Sequence, residues 1–426
     1  MDGLLESLLS GRAAVMHGWA IATAATVAAA CALVGTLLVV RRMSLLGDAI
    51  SHAVLPGIAV AVLAGGRPGG LFVFAAAVAT SLVTVWLTRL VRSAGGLSDD
   101  AGTGVVFTSL FALGVVIVTA AASRIDLDPS CMLYGILELV PFDTVSLAGI
   151  EVPRGFLSAI AVLVAIAAAA VATWKLQVFT AFDTDAAQAA GVPVTAVTGG
   201  LLAATSLATV AGFEVVGAVL VVAMLVVPAA AAELLVRRLH HMVVVAIGLA
   251  VVGTCLGYLA AWRWNASAAG MIAVVLGIEY LLAVVLAPDD GLVARGLARL
   301  RYAWRVICED RLAAAWRAEE KGALAMGAAS PLQWLAVAWL RLSGRVAMRN
   351  GRTALTATGR REAEMVVRSH RLWEAWLGRH AQLPLDHLHP PAEWVEHHLG
   401  AAMRQRIEAE VGGIGDPHGS EIPPEA

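Results

Sequence analysis

Nine apolar segments, each close to the length of a membrane-spanning helix, alternate with short polar stretches along the first part of the chain. They cover residues 19–40, 48–65, 69–90, 101–122, 154–175, 193–212, 214–236, 240–260 and 266–287. About 20 consecutive apolar residues cross the hydrocarbon core of a bilayer as an α-helix. The pattern therefore predicts an all-α polytopic membrane protein, with eight to nine transmembrane helices in a first domain of residues 1–290.

Basic residues predict the orientation of these segments. The loops that carry them lie an even number of spans apart, at Arg41/Arg42, Arg89/Arg92, Lys175 and Arg237/Arg238. Loops rich in Lys and Arg stay on the cytosolic side of a membrane. We therefore expect a multi-pass protein of the cell (cytoplasmic or inner) membrane, with its N-terminus outside and the chain after residue 288 in the cytosol. If one segment is really two half-helices, the N-terminus changes sides.

The composition separates the chain into two regions. Of the 426 residues, 59% are hydrophobic, and the mean hydropathy of +0.78 excludes a soluble enzyme. Residues 1–288 hold 12 Lys and Arg with 15 Asp and Glu, whereas residues 289–426 hold 18 and 17 in half the length. The second region is therefore expected to face water.

The sequence carries no nucleotide-binding loop of the GxxxxGK[ST] kind. The two lysines, Lys175 and Lys321, follow no such glycine-rich stretch. If ATP drives this protein, another chain binds the ATP, and we expect no enzyme activity from this one. The four cysteines are far apart in sequence and predict neither a disulfide framework nor a zinc ribbon.

The second apolar segment contains an unusual polar step. Asp48 and His52 are four residues apart and would share one face of a helix. A carboxylate in hydrocarbon costs about 2.5–3.5 kcal/mol, so it should face protein, water or a cation. Pro56 permits a kink or a broken segment there. The step is either a metal-capable part of a permeation path, or a helix-capping Asp beside a buried, hydrogen-bonded His.

Residues 291–358 predict a juxtamembrane stretch followed by a degenerate winged helix. Residues 308–322, 330–339 and 340–350 have helical patterns, and residues 351–359 suggest a short hairpin. Residues 295–361 carry 13 Lys and Arg against 4 Asp and Glu. Nucleic-acid binding, proximity to a membrane and a solvated face would each explain this charge.

Ligand-type side chains gather in residues 359–426. A long amphipathic helix over 359–380 places His370 and Glu374 one turn apart. Glu393, Glu396 and His397 lie at i, i+3 and i+4, so that all three can point at one ion. Carboxylates with imidazole suit Mn²⁺ or Fe²⁺ better than a thiolate site would. The alternative is a polar dimer face or a solvated helix.

Four motifs of the membrane region, in order, resemble the permease subunits of ABC importers for manganese, zinc and iron. They are RRMSLLGDAISHAVLPG (41–57), DLDPSCMLYG (126–135), AFDTDAAQAAGVPV (181–194) and FEVVGAVLVVAMLVVPAAAA (213–232). The resemblance implies a dimeric transmembrane unit, formed with a second copy or a related permease subunit. It also implies a separate ABC ATPase subunit and an extracytosolic metal-binding protein that delivers the ion.

The same resemblance implies roles for particular residues. It places Asp48 and His52 on the path of the metal ion. It places a coupling helix, which touches the ATPase, within residues 177–192, where the coupling residues are expected to be Phe182, Asp183, Asp185 and Gly191.

The tail resembles metal-dependent repressors of the diphtheria-toxin-repressor and manganese-regulator type. The motifs are CEDRLAAAWRAEEKG (308–322), LTATGRREAEMVVRSHRLWEAWL (355–377), AEWVEHHLG (392–400) and DPHGSEIP (416–423). The resemblance implies a metal-binding and dimerisation-like helical domain over 359–426. It assigns primary-site ligands to Asp310, His370, Glu393, Glu396 and His397, and an ancillary site to His370, Glu374 and His389. Ala313 stands where the manganese pattern has a carboxylate, which departs from a full two-ion site.

Together these patterns predict the permease of an ATP-driven Mn²⁺, Zn²⁺ or Fe²⁺ importer, with a cytosolic tail that senses metal. The alternative is a membrane-anchored, metal-dependent transcriptional regulator that binds DNA, although the degenerate helix-turn-helix of 330–350 argues against DNA as a partner. A third option is a tail needed only for packing. The sequence does not decide which metal is carried, although Glu393 favours manganese.

Overall fold

The computed structural model describes most of the chain. The described residues are 11–43, 47, 49, 53–66, 71–96, 99–120, 137–147, 149–289, 291–322, 330–349, 352–381, 392–393, 395–411, 417 and 421–424. They divide into two compact units, Met1–Ala294 and Arg295–Ala426, each of which is described by itself.

The first unit is a bundle of helices. Its helices are α1 (Gly11–Val40), α2 (Leu55–Leu63), α3 (Leu71–Gly95), α4 (Asp99–Ala120), α5 (Arg154–Phe182), α6 (Thr184–Ala189), α7 (Val194–Val216), α8 (Ala218–Leu235), α9 (Leu239–Trp264) and α10 (Ala268–Leu286). Among the described residues, seven helices are long and apolar enough to cross a membrane: α1, α4, α5, α7, α8, α9 and α10. The prediction of a polytopic, mostly helical membrane protein is therefore confirmed.

Helix α1 lies at the centre of this bundle, in contact with α5, α7, α8 and α9. Ala20, Ala24, Ala28 and Ala32 recur every four residues along one face and are almost completely buried. Small side chains let helix backbones approach closely where lipid supplies no hydrophobic driving force. The closest approach is at Gly35, where an added Cβ would lie 1.8 Å from the carbonyl oxygen of Leu225 on α8.

Replacing Gly35 by alanine is therefore expected to destabilise the first unit. A backbone carbonyl cannot rotate away from the added methyl group, so the cost should reach the upper part of the roughly 1–3 kcal/mol seen for overpacking. Gly18→Ala is the matched control, because it lies on the same helix with nothing within 4 Å of its added Cβ. Thermal unfolding of the detergent-solubilised variants measures the difference. Equal melting temperatures for both would contradict this packing.

The second predicted segment, residues 48–65, is only partly described. Helix α2 begins at Leu55, and Pro56 lies in its first turn, where proline is well tolerated because its missing N–H has no helical partner. Gly47, Ala49 and Ala53 are helical, and Val54, between Ala53 and α2, is a turn residue with helical backbone angles (φ −72°, ψ −25°). Asp48 and His52 lie outside the described residues.

A β-hairpin departs from the all-α prediction. A 3₁₀-helix, Leu137–Phe142, leads into β1 (Thr144–Leu147), which pairs antiparallel with β2 (Ile150–Pro153). Gly149 in the connection has φ +86°, a left-handed conformation that glycine adopts without steric cost. The strands β1 and β2 have four residues each. This is too short for an alternation of apolar and polar residues to stand out among the apolar segments of the sequence.

The second unit contains α11 (Leu292–Glu320), α12 (Pro331–Leu342), the antiparallel strands β3 (Val346–Arg349) and β4 (Arg352–Leu355), α13 (Ala357–His380) and α14 (Ala401–Val411). Leu312, Leu340, Val346 and Ala363 form one buried cluster among its elements. Leu372, Ala375, Leu399, Ile407 and Val411 form another beside α13 and α14.

The predicted helix over 340–350 is wrong, and the predicted hairpin begins too late. One helix, α12, runs from Pro331 to Leu342 and stops before Gly344, whose φ is +71°. The following residues form β3, the first strand of the hairpin. The described residues thus hold one helix fewer before the hairpin than a winged helix requires, and that part of the fold prediction is not confirmed.

Candidate metal centre

Three side chains of the metal-binding types meet in the second unit. Ligand atoms of Asp310, Glu396 and His397 all lie within 4.8 Å of one another. The His397 Nε2 is 3.1 Å from Asp310 Oδ1 and 3.5 Å from Glu396 Oε1. Two carboxylates and one imidazole form a mixed oxygen and nitrogen donor set, which fits Mn²⁺, Fe²⁺ or Zn²⁺.

Local structure explains why these three residues converge. Asp310 lies on α11 two residues before Leu312, which is buried with Ala313, and these two apolar residues fix the rotation of that helix. The Glu396 amide donates a hydrogen bond to the carbonyl oxygen of Ala392, four residues earlier (2.9 Å). The His398 amide donates to the carbonyl oxygen of Val395, only three residues earlier (2.8 Å), so the helical turn narrows there. This tightened turn carries the two neighbouring side chains, Glu396 and His397, toward Asp310.

Glu396 also connects this group to a second one on α13. Its Oε2 is 2.7 Å from Nδ1 of His370, whose Nε2 is 3.1 Å from Oε1 of Glu374. His370, Glu374 and Glu396 are each at most 5% exposed. Buried charged groups persist where they are paired and hydrogen-bonded, as they are here. The carboxylate of Glu396 therefore bridges two histidines.

The carboxylates change the ionisation of both histidines. Burial would lower the pKa of His370, but the hydrogen bonds and charges of Glu374 and Glu396 outweigh it and raise that pKa to about 9. Burial likewise opposes the rise for His397, and the hydrogen bonds of Asp310 and Glu309 with the charge of Glu396 raise its pKa to about 9. Both imidazoles are thus protonated at neutral pH, so a metal ion must displace their protons.

The structure brings together Asp310, His370, Glu374, Glu396 and His397, five of the residues proposed from the sequence. Glu393 is exposed and is not one of the three residues whose ligand atoms meet. His389 lies outside the described residues. Ala313 is fully buried against Val366 and Val367, so an apolar contact fills the position of the carboxylate in the manganese pattern.

Glu309 is a partner of the site that the sequence analysis missed. Its Oε2 is 2.7 Å from Nδ1 of His397, on the opposite side of the ring from Asp310. The second carboxylate orients the imidazole, as outer partners of ligating histidines commonly do. The sequence signal that could have indicated Glu309 was its position next to the predicted ligand Asp310 in the motif CEDR (308–311).

The segment predicted to couple to an ATPase forms the short helix α6. Asp183 precedes it, and its Oδ1 accepts a hydrogen bond from the Ala186 amide at 2.8 Å. Phe182 is 70% exposed and Asp185 is exposed as well. Gly191, with φ +80°, turns the chain after the helix. These residues form an exposed, capped helical turn of the first unit.

Arg41, which follows α1, forms hydrogen bonds with the last turns of α5, the helix that precedes α6. Its Nη2 donates to the carbonyl oxygen of Gln177 (3.2 Å), to the Gln177 side-chain oxygen (2.6 Å) and to Thr180 Oγ1 (2.7 Å). Arg41 thus links the chain that enters the segment containing Asp48 and His52 to the chain that enters α6.

Comparisons with known protein families match both units. Residues 14–287 match the ABC 3 transport family, and residues 356–424 match the metal binding and dimerisation domain of iron dependent repressors. Both resemblances proposed from the sequence motifs are thereby confirmed.

Curated relatives match the first region. The manganese transport system membrane protein MntD of Bacillus subtilis is 40% identical over 285 residues, covering 67% of this chain and 96% of that protein. The zinc transport system membrane protein TroD of Treponema pallidum is 34% identical, covering 64% of this chain and 75% of that protein. A chain of the solved structure of PsaBC from Streptococcus pneumoniae in complex with Fab superposes with a TM-score of 0.57 and 26% identity, covering 68% of this chain and 97% of that one.

Proposed function

Because the chain belongs to the ABC 3 transport family, we propose that it is the transmembrane permease of an ATP-driven importer for a divalent metal ion, Mn²⁺, Zn²⁺ or Fe²⁺. The observation that carries this proposal is the match of residues 14–287, which include the seven long apolar helices. The names of the relatives, a manganese and a zinc transport protein, support a divalent metal as the substrate. Uptake of radioactive Mn²⁺, Zn²⁺ and Fe²⁺ by cells that lack their own importers tests it.

In this proposal the membrane domain, residues 1–290, has eight to nine spans. The seven long helices are supplemented by α3, which contains a shorter apolar run, and by the segment that includes α2. The positive-inside rule favours an extracytosolic N-terminus and a cytosolic tail. The tail comprises residues 291–358, a juxtamembrane stretch followed by α12 and the β3–β4 hairpin, and a regulatory domain of residues 359–426.

The proposed importer needs other subunits. The sequence offers no GxxxxGK[ST] loop, so a separate ABC ATPase would hydrolyse ATP and the permease itself would have no enzyme activity. The exposed helix α6, with Phe182, Asp183, Asp185 and Gly191, would dock into that ATPase. A second permease copy or a related subunit completes the membrane unit, and an extracytosolic metal-binding protein delivers the ion.

Replacing Asp183 by alanine is expected to weaken the association with the ATPase severalfold. The change removes the side-chain cap of α6, and the loss of an N-cap costs a helix about 1 kcal/mol. Asn at this position caps a helix as well as Asp does, so Asp183→Asn is the matched control. Co-purification of the ATPase with each full-length variant measures the effect. If the alanine variant retained as much ATPase as the asparagine variant, the capped turn would have no role in docking.

We further propose that the tail senses metal and inhibits transport when metal is plentiful. The Asp310, Glu396 and His397 group supports this, together with the match of residues 356–424 to a metal-binding and dimerisation domain. Because a metal ion is a cation that binds neutral imidazole, His370 and His397 supply nitrogen ligands only after losing their protons.

Metal binding by the tail is expected to strengthen as the pH rises toward about 9. Below that pH each imidazole holds a proton, so affinity should rise about tenfold per pH unit for each proton that the metal displaces. Calorimetric titration of full-length protein with Mn²⁺ between pH 6 and pH 8 measures this, using an Asp48→Ala/His52→Ala background so that only the tail binds. An affinity that does not change with pH would contradict imidazole ligation.

A further inference from the structure

Helix α12 of the second unit exposes an unusually apolar face. The side chains of Leu332, Trp334, Leu335, Trp339 and Leu342 are between 52% and 85% exposed. The opposite face of the helix is buried in the unit through Ala336, Val337 and Leu340. A helix that is apolar on nearly all sides is typical of a buried element or of a membrane-bound one, and not of a helix in water.

The exposed side chains form a continuous surface. Leu332, Leu335, Trp339 and Leu342 follow the spacing i, i+3, i+7 and i+10, which aligns them along one side of a helix. Contiguous apolar surface of this kind marks an interaction site on a folded protein. We call these four residues, with Trp334 beside them, the α12 apolar face.

The composition of this face does not suit base recognition in DNA. Helices that read the major groove do so through Arg, Lys, Asn and Gln side chains that contact base edges. In α12 the residues of these types are Gln333 and Arg341, and the remaining exposed surface is formed by leucine, tryptophan, proline and alanine. The region in which the sequence indicates a degenerate helix-turn-helix therefore exposes a surface that is unsuited to reading DNA bases.

Two observations favour lipid as the partner. First, α12 begins at residue 331, 45 positions after the end of α10 at residue 286, so the chain tethers it to a membrane-embedded domain. A short tether gives a high effective concentration of the membrane at the helix. Second, residues 295–361 carry 13 Lys and Arg against 4 Asp and Glu, which complements an anionic lipid surface.

The residue types agree with an interfacial position. Tryptophan is enriched at the boundary between headgroups and acyl chains, where its ring is apolar and its N–H remains hydrated. Leucine and tryptophan on one face are typical of helices that lie in the plane of the interface. In the same unit α11 exposes Leu297 and Leu300 among arginines. A second helix therefore also combines exposed apolar side chains with basic ones.

We propose that α12 is a membrane-binding helix, whose apolar face inserts into the interface of a bilayer that contains anionic lipids. The proposal concerns the surface of the tail and adds a lipid contact to the metal-sensing role proposed above. Lipid binding would hold the tail at the membrane.

Photo-crosslinking in full-length protein tests this contact. The photoreactive residue p-benzoyl-phenylalanine replaces Leu335, and the protein is reconstituted in nanodiscs of phosphatidylcholine and phosphatidylglycerol. The same residue in place of Met403, an isolated apolar side chain of α14 that is 50% exposed, is the matched control. After illumination, mass spectrometry is expected to find severalfold more phospholipid adduct at position 335 than at position 403.

Other products would overturn the proposal. A peptide adduct that joins position 335 to a second copy of the chain would identify α12 as a dimer contact. An adduct with added DNA in place of lipid would identify a nucleic-acid surface. Equal, low lipid adduct at both positions would show that the face does not reach a bilayer. The readout does not depend on metal transport, so it remains informative if the transport proposal fails.

A second measurement uses variants without the photoreactive residue. Leu335→Glu and Trp339→Glu each place a charge on the α12 apolar face, where insertion into the interface would bury it. Hydrogen exchange of the α12 amides in nanodiscs is expected to rise severalfold in both variants. Exchange identical to that of the wild-type protein would contradict the proposal.

Discussion

Alanine in place of Asp48 or His52 is expected to lower metal uptake by the proposed importer more than about tenfold, because losing even an outer partner of a metal ligand costs about 10–100-fold. A transport site must bind its ion firmly enough to admit it and weakly enough to release it. If Asp48 and His52 are the ligands that the sequence motif implies, the two together would form such a weak site, and neither would suffice alone. Uptake of radioactive Mn²⁺ by cells that express each variant with its ATPase measures the loss.

Asp289→Ala is the control for this experiment. It removes a carboxylate of the first unit that pairs with Arg237 at an exposed position, with Arg237 Nε 2.9 Å from Asp289 Oδ2. Exposed ion pairs contribute little to stability, so this variant should transport normally. Wild-type uptake in both the Asp48 and His52 variants would remove the proposed translocation site.

Glutamine in place of Glu396 is expected to abolish the inhibition of uptake by high cytosolic metal. The carboxylate of Glu396 is 2.7 Å from His370 and 3.5 Å from His397, so one change removes the charge that joins both histidines. Loss of a ligand should weaken metal binding by more than the 10–100-fold that outer partners contribute, about 100-fold or more. The measurement is the dependence of the initial uptake rate on preloaded cytosolic Mn²⁺.

The control for the tail is Glu362→Gln. Glu362 lies on the same helix as His370 and pairs with Arg345 at 2.6 Å, outside the group of ligand residues. This variant should be inhibited by metal as the wild-type protein is. If the Glu396 variant were inhibited equally, the tail would not sense metal through this group. Glu393→Gln is informative in the same assay, because the sequence motif assigns it a ligand role and the structure leaves its side chain exposed.

Local patterns predicted the parts of the fold that depend on neighbouring residues. The apolar segments anticipated the long helices of the first unit, because a span through lipid must be apolar along its whole length. The helical pattern of residues 359–380 anticipated α13, although residues 366–372 of that helix are buried on every side. Both features are determined by residues close together in the chain.

Features that depend on distant contacts were not predictable in this way. The hairpin of β1 and β2 needs pairing between strands of four residues, a signal too short to separate from the surrounding sequence. The pattern of 340–350 resembled a helix, yet Val346 is buried against Leu312 and Ala363 as part of a strand. Packing against those residues determines its conformation.

The candidate site was only partly accessible from the sequence. The repressor-like motifs supplied its residue types, but the site brings together three separate segments of the chain, which carry Asp310, His370, and Glu396 with His397. The contact of Glu309 with His397 joins residues 88 positions apart, and the sequence offered only the place of Glu309 beside Asp310 as a signal for it.

Reconstitution tests the central claim most directly. The purified chain is placed in proteoliposomes with its ABC ATPase and metal-loaded binding protein, and the transfer of Mn²⁺ across the membrane is followed after addition of ATP. Transfer is expected to depend on ATP, to require both the chain and the ATPase, and to fall with Asp48→Ala. Transfer that proceeds equally without the chain, or no transfer of Mn²⁺, Zn²⁺ or Fe²⁺ with every subunit present, would contradict it.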